Sequence, residues 1–335
     1  MEQDESLTVD FSGVCRAKLD KLLGGMGIYK LNRIQKKYGR YWQLYLFLVL
    51  PLAYIIIFAY IPMFGVQIAF KKFNYTGGIW GSPWTGFSHF IKFFNSYNFE
   101  RVIVNTLRIS VYDILAGFPF PIIFALCLNT IEHGRYKKIV QTITYMPHFI
   151  SVVVVVGMVM QIFHPLIGIY GVVVKALTGT QAVDLFGKAD VFPHLYVWSG
   201  IWQSFGWSSI IYVASLTSVP GELYEAAKVD GASRFKMVLH IDLPALAPTI
   251  TILLILRMGA VMSVGFEKAW LMQNPLNLRT SELISTFVYK QGLAAGGPVD
   301  FSYAAAIGLF NSVINLILII IVNKIANKLS ETSLW

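Results

Sequence analysis

The sequence predicts an all-α integral membrane protein, and three observations carry that reading. Of its 335 residues, 56% are hydrophobic and only 13% are charged, against roughly 25% charged in an ordinary soluble domain. Six apolar runs are each long enough for a helix to cross a bilayer, which takes about 20 residues. Lysine and arginine gather beside those runs rather than over a polar domain, so the net charge of +9 reads as membrane topology and not as a nucleic-acid surface.

The first 40 residues are polar. Acidic residues come first, then Arg16, Lys18, Lys21, Lys30, Arg33, Lys36, Lys37 and Arg40. Such a segment stays on the inner side, where each basic residue near an anionic leaflet gains about 1 kcal/mol, and a short amphipathic surface helix is expected. The apolar run behind it is too long for a signal peptide and is read as a retained span. Cys15 lies in this basic segment and Cys127 inside an apolar run; they have no metal-ligand spacing and no disulfide framework follows.

The six expected spans are Leu44 to Gln67, Ile103 to Leu128, Ile139 to Phe163, Leu195 to Thr217, Pro248 to Val264 and Ala304 to Val322. Pro51, Pro62, Pro119, Pro121 and Pro147 predict kinks, which a packed bundle tolerates because neighbours satisfy the freed backbone groups. With the N-terminus inside, the inner segments also receive Arg135, Lys137, Lys138, Lys228, Arg234, Lys236, Lys324 and Lys328. Three longer outer segments remain: Ala69 to Val102, His164 to His194 and Gly265 to Tyr303. The first holds Phe73, Tyr75, Trp80, Trp84, Phe87, Phe90, Phe93 and Phe94, a density that implies packing rather than a linker.

Between the fourth and fifth spans lies EAAKVDGASRFKMVLHIDLP, Glu225 to Pro244. Ser218 is placed to cap a helix opened by Pro220 and Glu222, with Leu223, Ala226 and Ala227 at helical spacing. Asp230-Gly231 breaks that helix, because glycine takes the left-handed conformation cheaply. Ser233 is then placed to cap a second helix carrying Phe235, Val238 and Leu239, and Leu243-Pro244 is expected to end it.

This stretch resembles the coupling loop of ABC importer permeases. That family's Glu-Ala-Ala, Gly and Ile-x-Leu-Pro pattern reads here as Glu225, Ala226, Ala227, Gly231, Ile241, Leu243 and Pro244, with Asp230 preceding the glycine. Asn105-Thr106-Leu107 is similar to the start of the family's MetI-like five-helix core. Gly265 to Leu293 and the closing Glu331-Thr332-Ser333-Leu334-Trp335 resemble the polysaccharide and oligosaccharide branch of LplB-type proteins. The implied organisation is a basic N-terminal segment (1–40), a first span with its outer loop (41–101), a core (102–325) with the coupling loop at 218–244, and a cytoplasmic tail (326–335). The resemblance further implies a complex with a second homologous permease, two ABC ATPase subunits and an extracellular sugar-binding lipoprotein, importing oligosaccharides by alternating access. No Gly-x-x-x-x-Gly-Lys-Ser/Thr loop is present to hold nucleotide phosphates. No cofactor is therefore expected in this chain, and ATP and Mg2+ would be bound by the partner ATPases.

Glu225 is the leading candidate for contact with an ATPase, against the alternative of a solvated surface carboxylate. Asp113 and Arg257 lie within spans, where a lone charge costs about 2.5–3.5 kcal/mol. They are expected to face the bundle interior, as a structural pair or as the lining of a sugar pathway. Trp198, Trp202 and Phe205 recur on one face of the fourth span with Ser199 and Gln203 nearby, suited either to stacking on sugars or to an interfacial aromatic belt. The resemblance marks Glu267, Asn274 and Pro275 as candidate contacts to the binding protein. His148 and His164 have no partner at ligand spacing, so no metal site is expected. An ion-driven secondary transporter would need broken helices at matching positions of two halves, and a membrane-embedded enzyme would need clustered catalytic acids; neither pattern is evident.

Overall fold

The structure, a computed structural model, describes residues 42–131, 133–293 and 299–329. The expected surface helix in the basic segment, Cys15 and the last six residues lie outside the described residues. Residues up to Gly65 and those from Val66 onward form two units. Among the described residues there is no strand; two isolated bridges, Lys71 with Trp84 and Asn74 with Gly78, pin one loop.

The first apolar helix, α1, is Gln43–Phe70. It passes through a π-helical turn at Ile56–Tyr60, between Pro51 and Pro62, where widening of the helix accommodates the missing amide donor of a proline.

In the second unit, α2 (Ser88–Phe94) precedes α3 (Asn98–Gly117) and α4 (Pro119–Asn129), which join at Phe118 into one 32-residue span. Asn105 and Thr106 are buried in α3: the Asn105 amide donates to the Arg279 and Glu282 carbonyls, and the Thr106 hydroxyl accepts from the Ile284 amide. The Asn-Thr pair thereby fixes a loop more than 170 positions away, satisfying backbone groups that burial would otherwise strand.

The third expected span is not one straight helix. It is α5 (Gly134–Phe149) followed by α6 (Val152–Ile162), bent by 99°. Pro147 tightens the end of α5 into a 3-10 turn, and Ser151 caps α6 by accepting from the Val154 amide. A short helix, α7 (Ile169–Thr178), leads to α8 (Phe192–Thr217).

α8 fills the place of the fourth span. It is less apolar than α1, α3–α4 or the later spans, and with α5–α6 counted as one the described residues hold up to five strongly apolar crossings rather than six. The reason is its position: α8 packs against α3, α4, α5, α6 and α10, so protein rather than lipid solvates its serines and glycines.

After α9 (Gly221–Val229), α10 runs unbroken from Arg234 to Gly259. This corrects the expectation that Leu243-Pro244 ends the second coupling helix. A π-helical turn at Val238–Asp242 opens the backbone just before Pro244, so the ring meets no clashing carbonyl and the helix continues. The fifth span thus begins well before Pro248 and ends five residues before Val264. The short helices α11 (Phe266–Met272), α12 (Leu278–Ser281) and α13 (Ile284–Gly292) precede the final span α14 (Phe301–Leu329).

Three apolar clusters hold this unit together. One joins Ile109, Val155, Phe192, Ile201 and Met272; a second joins Phe93, Val102, Phe287, Tyr303 and Ile307; a third joins Ala125, Tyr212, Leu216 and Leu246. Phe93 makes edge contacts with Phe99, Tyr303 and Phe310. Of the aromatic residues between 73 and 94, Phe93 is buried against α13 and α14, whereas Tyr75, Trp80, Trp84 and Phe87 stay exposed.

Candidate functional site

Two places carry most of the candidate residues: a hairpin at one end of the bundle and a polar cavity within it. In the hairpin, α9 stops in a Schellman motif. Gly231 has φ +71°, its amide donates to the Lys228 carbonyl, and the Ala232 amide donates to the Ala227 carbonyl. Ser233 caps α10 by accepting from the Lys236 amide, as expected. Ser218 does not cap α9; its hydroxyl donates back to the Ser215 carbonyl, and Pro220 takes the cap position.

Glu225, Ala226, Asp230, Gly231, Leu243 and Pro244 are exposed, while Ala227 and Ile241 are half-buried. Around them Leu223, Val229 and Phe235 also turn apolar surface outward, Val229 with 88% exposure. Behind this face sits a clamp that sequence reasoning missed. Asp242, the unspecified residue of Ile-x-Leu-Pro, is 2% exposed and accepts hydrogen bonds from the Tyr224 hydroxyl at 2.5 Å and the Asn129 amide at 3.2 Å. It ties α9 and α10 to the end of α4. Partial burial, then the Asp242 hydrogen bond, pushes the Tyr224 hydroxyl pKa up to about 12, so it remains a donor. The available signal was an acid at the edge of an apolar run, which burial tolerates only with partners.

The cavity holds about 300 Å³ and is lined by residues of α3, α8, α10 and α11, among them Ser110, Asp113, Gln203, Ser204, Arg257, Ser263 and Lys268. Arg257 donates to the Asp113 carboxylate. The two candidate charges thus pair with each other and line the same cavity. Gln203 also lines it, with its amide donating to the Ile150 carbonyl at 2.9 Å.

Trp198 and Trp202 do not line this cavity. The Trp198 indole donates to the Tyr112 hydroxyl at 2.8 Å and meets Phe120 edge-on, while Phe205 packs edge-on against Phe124. Trp198 and Phe205 thus touch the α3–α4 span, while Trp198 and Trp202 remain 47% and 43% exposed.

Lys268, which sequence reasoning passed over, is buried against the cavity with its ammonium donating to the Tyr196 carbonyl at 2.6 Å. Its neighbour Glu267 is exposed. Asn274 is a turn builder: its side-chain oxygen accepts from the Leu276 and Asn277 amides and its NH2 donates to the Phe186 carbonyl. Pro275 is exposed beside it. His148 stacks on Trp207 with ring centres 4.7 Å apart, and His164 accepts from the Leu166 and Ile167 amides.

Residues 117–331 match the family described as binding-protein-dependent transport system inner membrane component. Among curated proteins, the chain is 42% identical over 292 residues to Protein LplB of Bacillus subtilis (strain 168), covering 87% of this chain and 91% of that one. It is 38% identical over 308 residues to the polygalacturonan/rhamnogalacturonan transport system permease protein YteP of the same organism, covering 91% and 92%. Among solved structures, a chain of a bacterial ABC transporter involved in import of the acidic polysaccharide alginate superposes with a TM-score of 0.80 at 38% identity, over 89% of this chain and 99% of that one. A chain of the alginate transporter in complex with alginate pentasaccharide-bound periplasmic protein superposes equally, with a TM-score of 0.80 at 37% identity over 90% and 100%. The bent and interrupted helices, the exposed hairpin and the family match over most of the chain agree: this protein belongs to the family of binding-protein-dependent transport system inner membrane components and has the MetI-like permease fold.

Proposed function

We propose that this chain forms half of the membrane pathway of an ATP-driven oligosaccharide importer, beside a second homologous permease, two ABC ATPase subunits and an extracellular sugar-binding lipoprotein. The observation that carries the reading is the hairpin at 218–244, which turns Glu225 and the apolar side chains of Leu223, Val229 and Phe235 outward from a backbone held rigid behind by Asp242. Exposed apolar side chains beside Glu225 suit a protein groove better than water. The sugar assignment is supported by the relatives, whose names include polygalacturonan/rhamnogalacturonan and alginate transport.

In this reading the hairpin and both termini face the cytoplasm. ATP and Mg2+, bound by the partner ATPases, supply the energy. Closure of the ATPase pair pushes α9, and the Asp242 clamp passes that movement to α4 and α10, whose span carries Arg257 into the cavity. The bundle then alternates between outward and inward access, with oligosaccharide arriving from the binding protein at the opposite end. There Glu267 and Pro275 are exposed, and Asn274 shapes the turn that displays them.

The test is reconstitution of the permease pair with its ATPases in liposomes, with uptake measured for oligosaccharide delivered by the binding protein. Uptake is expected to require ATP inside. Uptake that runs on an ion gradient without ATP would overturn the reading.

A further inference from the structure

We propose that Lys268 is a specificity residue that binds a carboxylate of the transported sugar in the bundle cavity, making the membrane pathway itself selective for uronate-bearing oligosaccharides. The inference rests on the oligosaccharide reading above and adds the chemistry of the sugar.

Lys268 is 9% exposed and lines the cavity. Among the described residues no carboxylate forms an ion pair with it; its one hydrogen bond goes to the Tyr196 carbonyl, and the Tyr196 ring centre lies 4.8 Å from the ammonium. The carboxylate that shares the cavity, Asp113, is already engaged by Arg257. An ammonium has three donors, so two remain for a ligand. The cavity thus holds two cations against one anion, and an unpaired buried charge is retained at a cost that a ligand's opposite charge can offset.

Gly200 on α8 faces the ammonium, and a Cβ there would lie 3.0 Å from Nζ, so the glycine lets Lys268 lie close against α8. The cavity, at about 300 Å³, is at the lower end of small-molecule sites, roughly 300–1,000 Å³, which suits one sugar ring at a time. On an oligosaccharide the group that complements an ammonium is a uronate carboxylate, and such charge-assisted hydrogen bonds are about twice as strong as those of neutral hydroxyls.

Burial pulls the Lys268 pKa down to about 8, with Asp113 opposing. The groups facing it are Asp113 from α3, Tyr196 from α8 and Arg257 from α10. Arginine keeps its charge at all working pH values. Substitution of Lys268 by arginine therefore separates titration at this position from titration of its neighbours.

The experiment uses the full purified complex and two probes that differ only at the carboxyl groups, trigalacturonate and its neutral primary amide, with direct binding measured in the absence of the binding protein. Wild type is expected to prefer trigalacturonate about tenfold at pH 7 and to lose that preference as pH rises through 8 to 9.5. Lys268→Gln should abolish the preference at pH 7, and Lys268→Arg should keep it and hold it flat with pH. Complexes are compared only when all subunits are retained and the thermal unfolding midpoint matches wild type. Equal binding of the two probes by wild type, or an unchanged preference in Lys268→Gln, overturns the proposal. Preference for trigalacturonate in a complex that shows no ATP-dependent uptake would leave Lys268 as the carboxylate reader and count against the importer reading instead.

Discussion

The Tyr224 hydroxyl donates to the buried carboxylate of Asp242 across 2.5 Å, joining α9 to the first turns of α10. Hydrogen bonds to a charged group are typically worth about 1.5–3 kcal/mol. Tyr224→Phe removes this one while keeping the ring, leaving Asp242 with Asn129. The hairpin should then open locally about 10- to 150-fold more often. Limited trypsin cleavage after Lys228 and Arg234 measures this, and a cleavage rate equal to wild type would show that the clamp does not hold the hairpin.

Gly231 tests the hairpin from the other side. At φ +71° an alanine costs about 1–2 kcal/mol, whereas proline cannot take the angle and also removes the amide that bonds Lys228. The expected order of damage to ATPase retention and stimulated hydrolysis is Gly231→Pro, then Gly231→Ala. Glu225→Ala, which leaves the backbone intact, should weaken docking by one to two orders of magnitude if its carboxylate is buried against the ATPase. Full uptake in Gly231→Pro with the ATPase still bound would sink the coupling role.

The Asp113–Arg257 pair separates support from transport. Its side chains are 27% and 50% exposed, so breaking it should cost less than the roughly 3–5 kcal/mol of a fully buried pair. Arg257→Met strands Asp113 and should lower both the unfolding midpoint and uptake. Adding Asp113→Asn should recover stability but not uptake if the pair also lines the pathway. Recovery of both would make it structural only.

Orientation is open to cysteine labelling in a background lacking Cys15 and Cys127. Val229→Cys and Tyr97→Cys are well placed, at 88% and 89% exposure. With the hairpin in the cytoplasm, an impermeant reagent applied outside should label position 97 and spare 229. Ser82 would be a poor probe, since it is buried and bonded to Asn74 and Gly78. Labelling of 229 from outside would invert the topology.

Local signals were legible in the sequence because local physics sets them. Apolar runs place most of the spans, since a helix is the way a lone segment satisfies its backbone in lipid. The turn at Gly231 and the cap at Ser233 were readable for a similar reason: only glycine is at ease at a positive φ, and a serine side chain reaches the amides of the next turn.

Tertiary structure decided what depends on neighbours. Whether Pro244 stops a helix turned on a π-helical widening at Val238–Asp242 that no residue spacing announces. The 99° bend between α5 and α6 falls at Pro147 and Ser151, where the sequence announced a kink but not its size, and the bonds of Gln203 to the Ile150 carbonyl and of Trp198 to Tyr112 join segments far apart in the chain. Asp242 and Lys268 read in the sequence as ordinary charges beside apolar residues. Burial gives them their meaning, because the free energy of a charge depends on the partners and the dielectric around it, and only the folded chain supplies those.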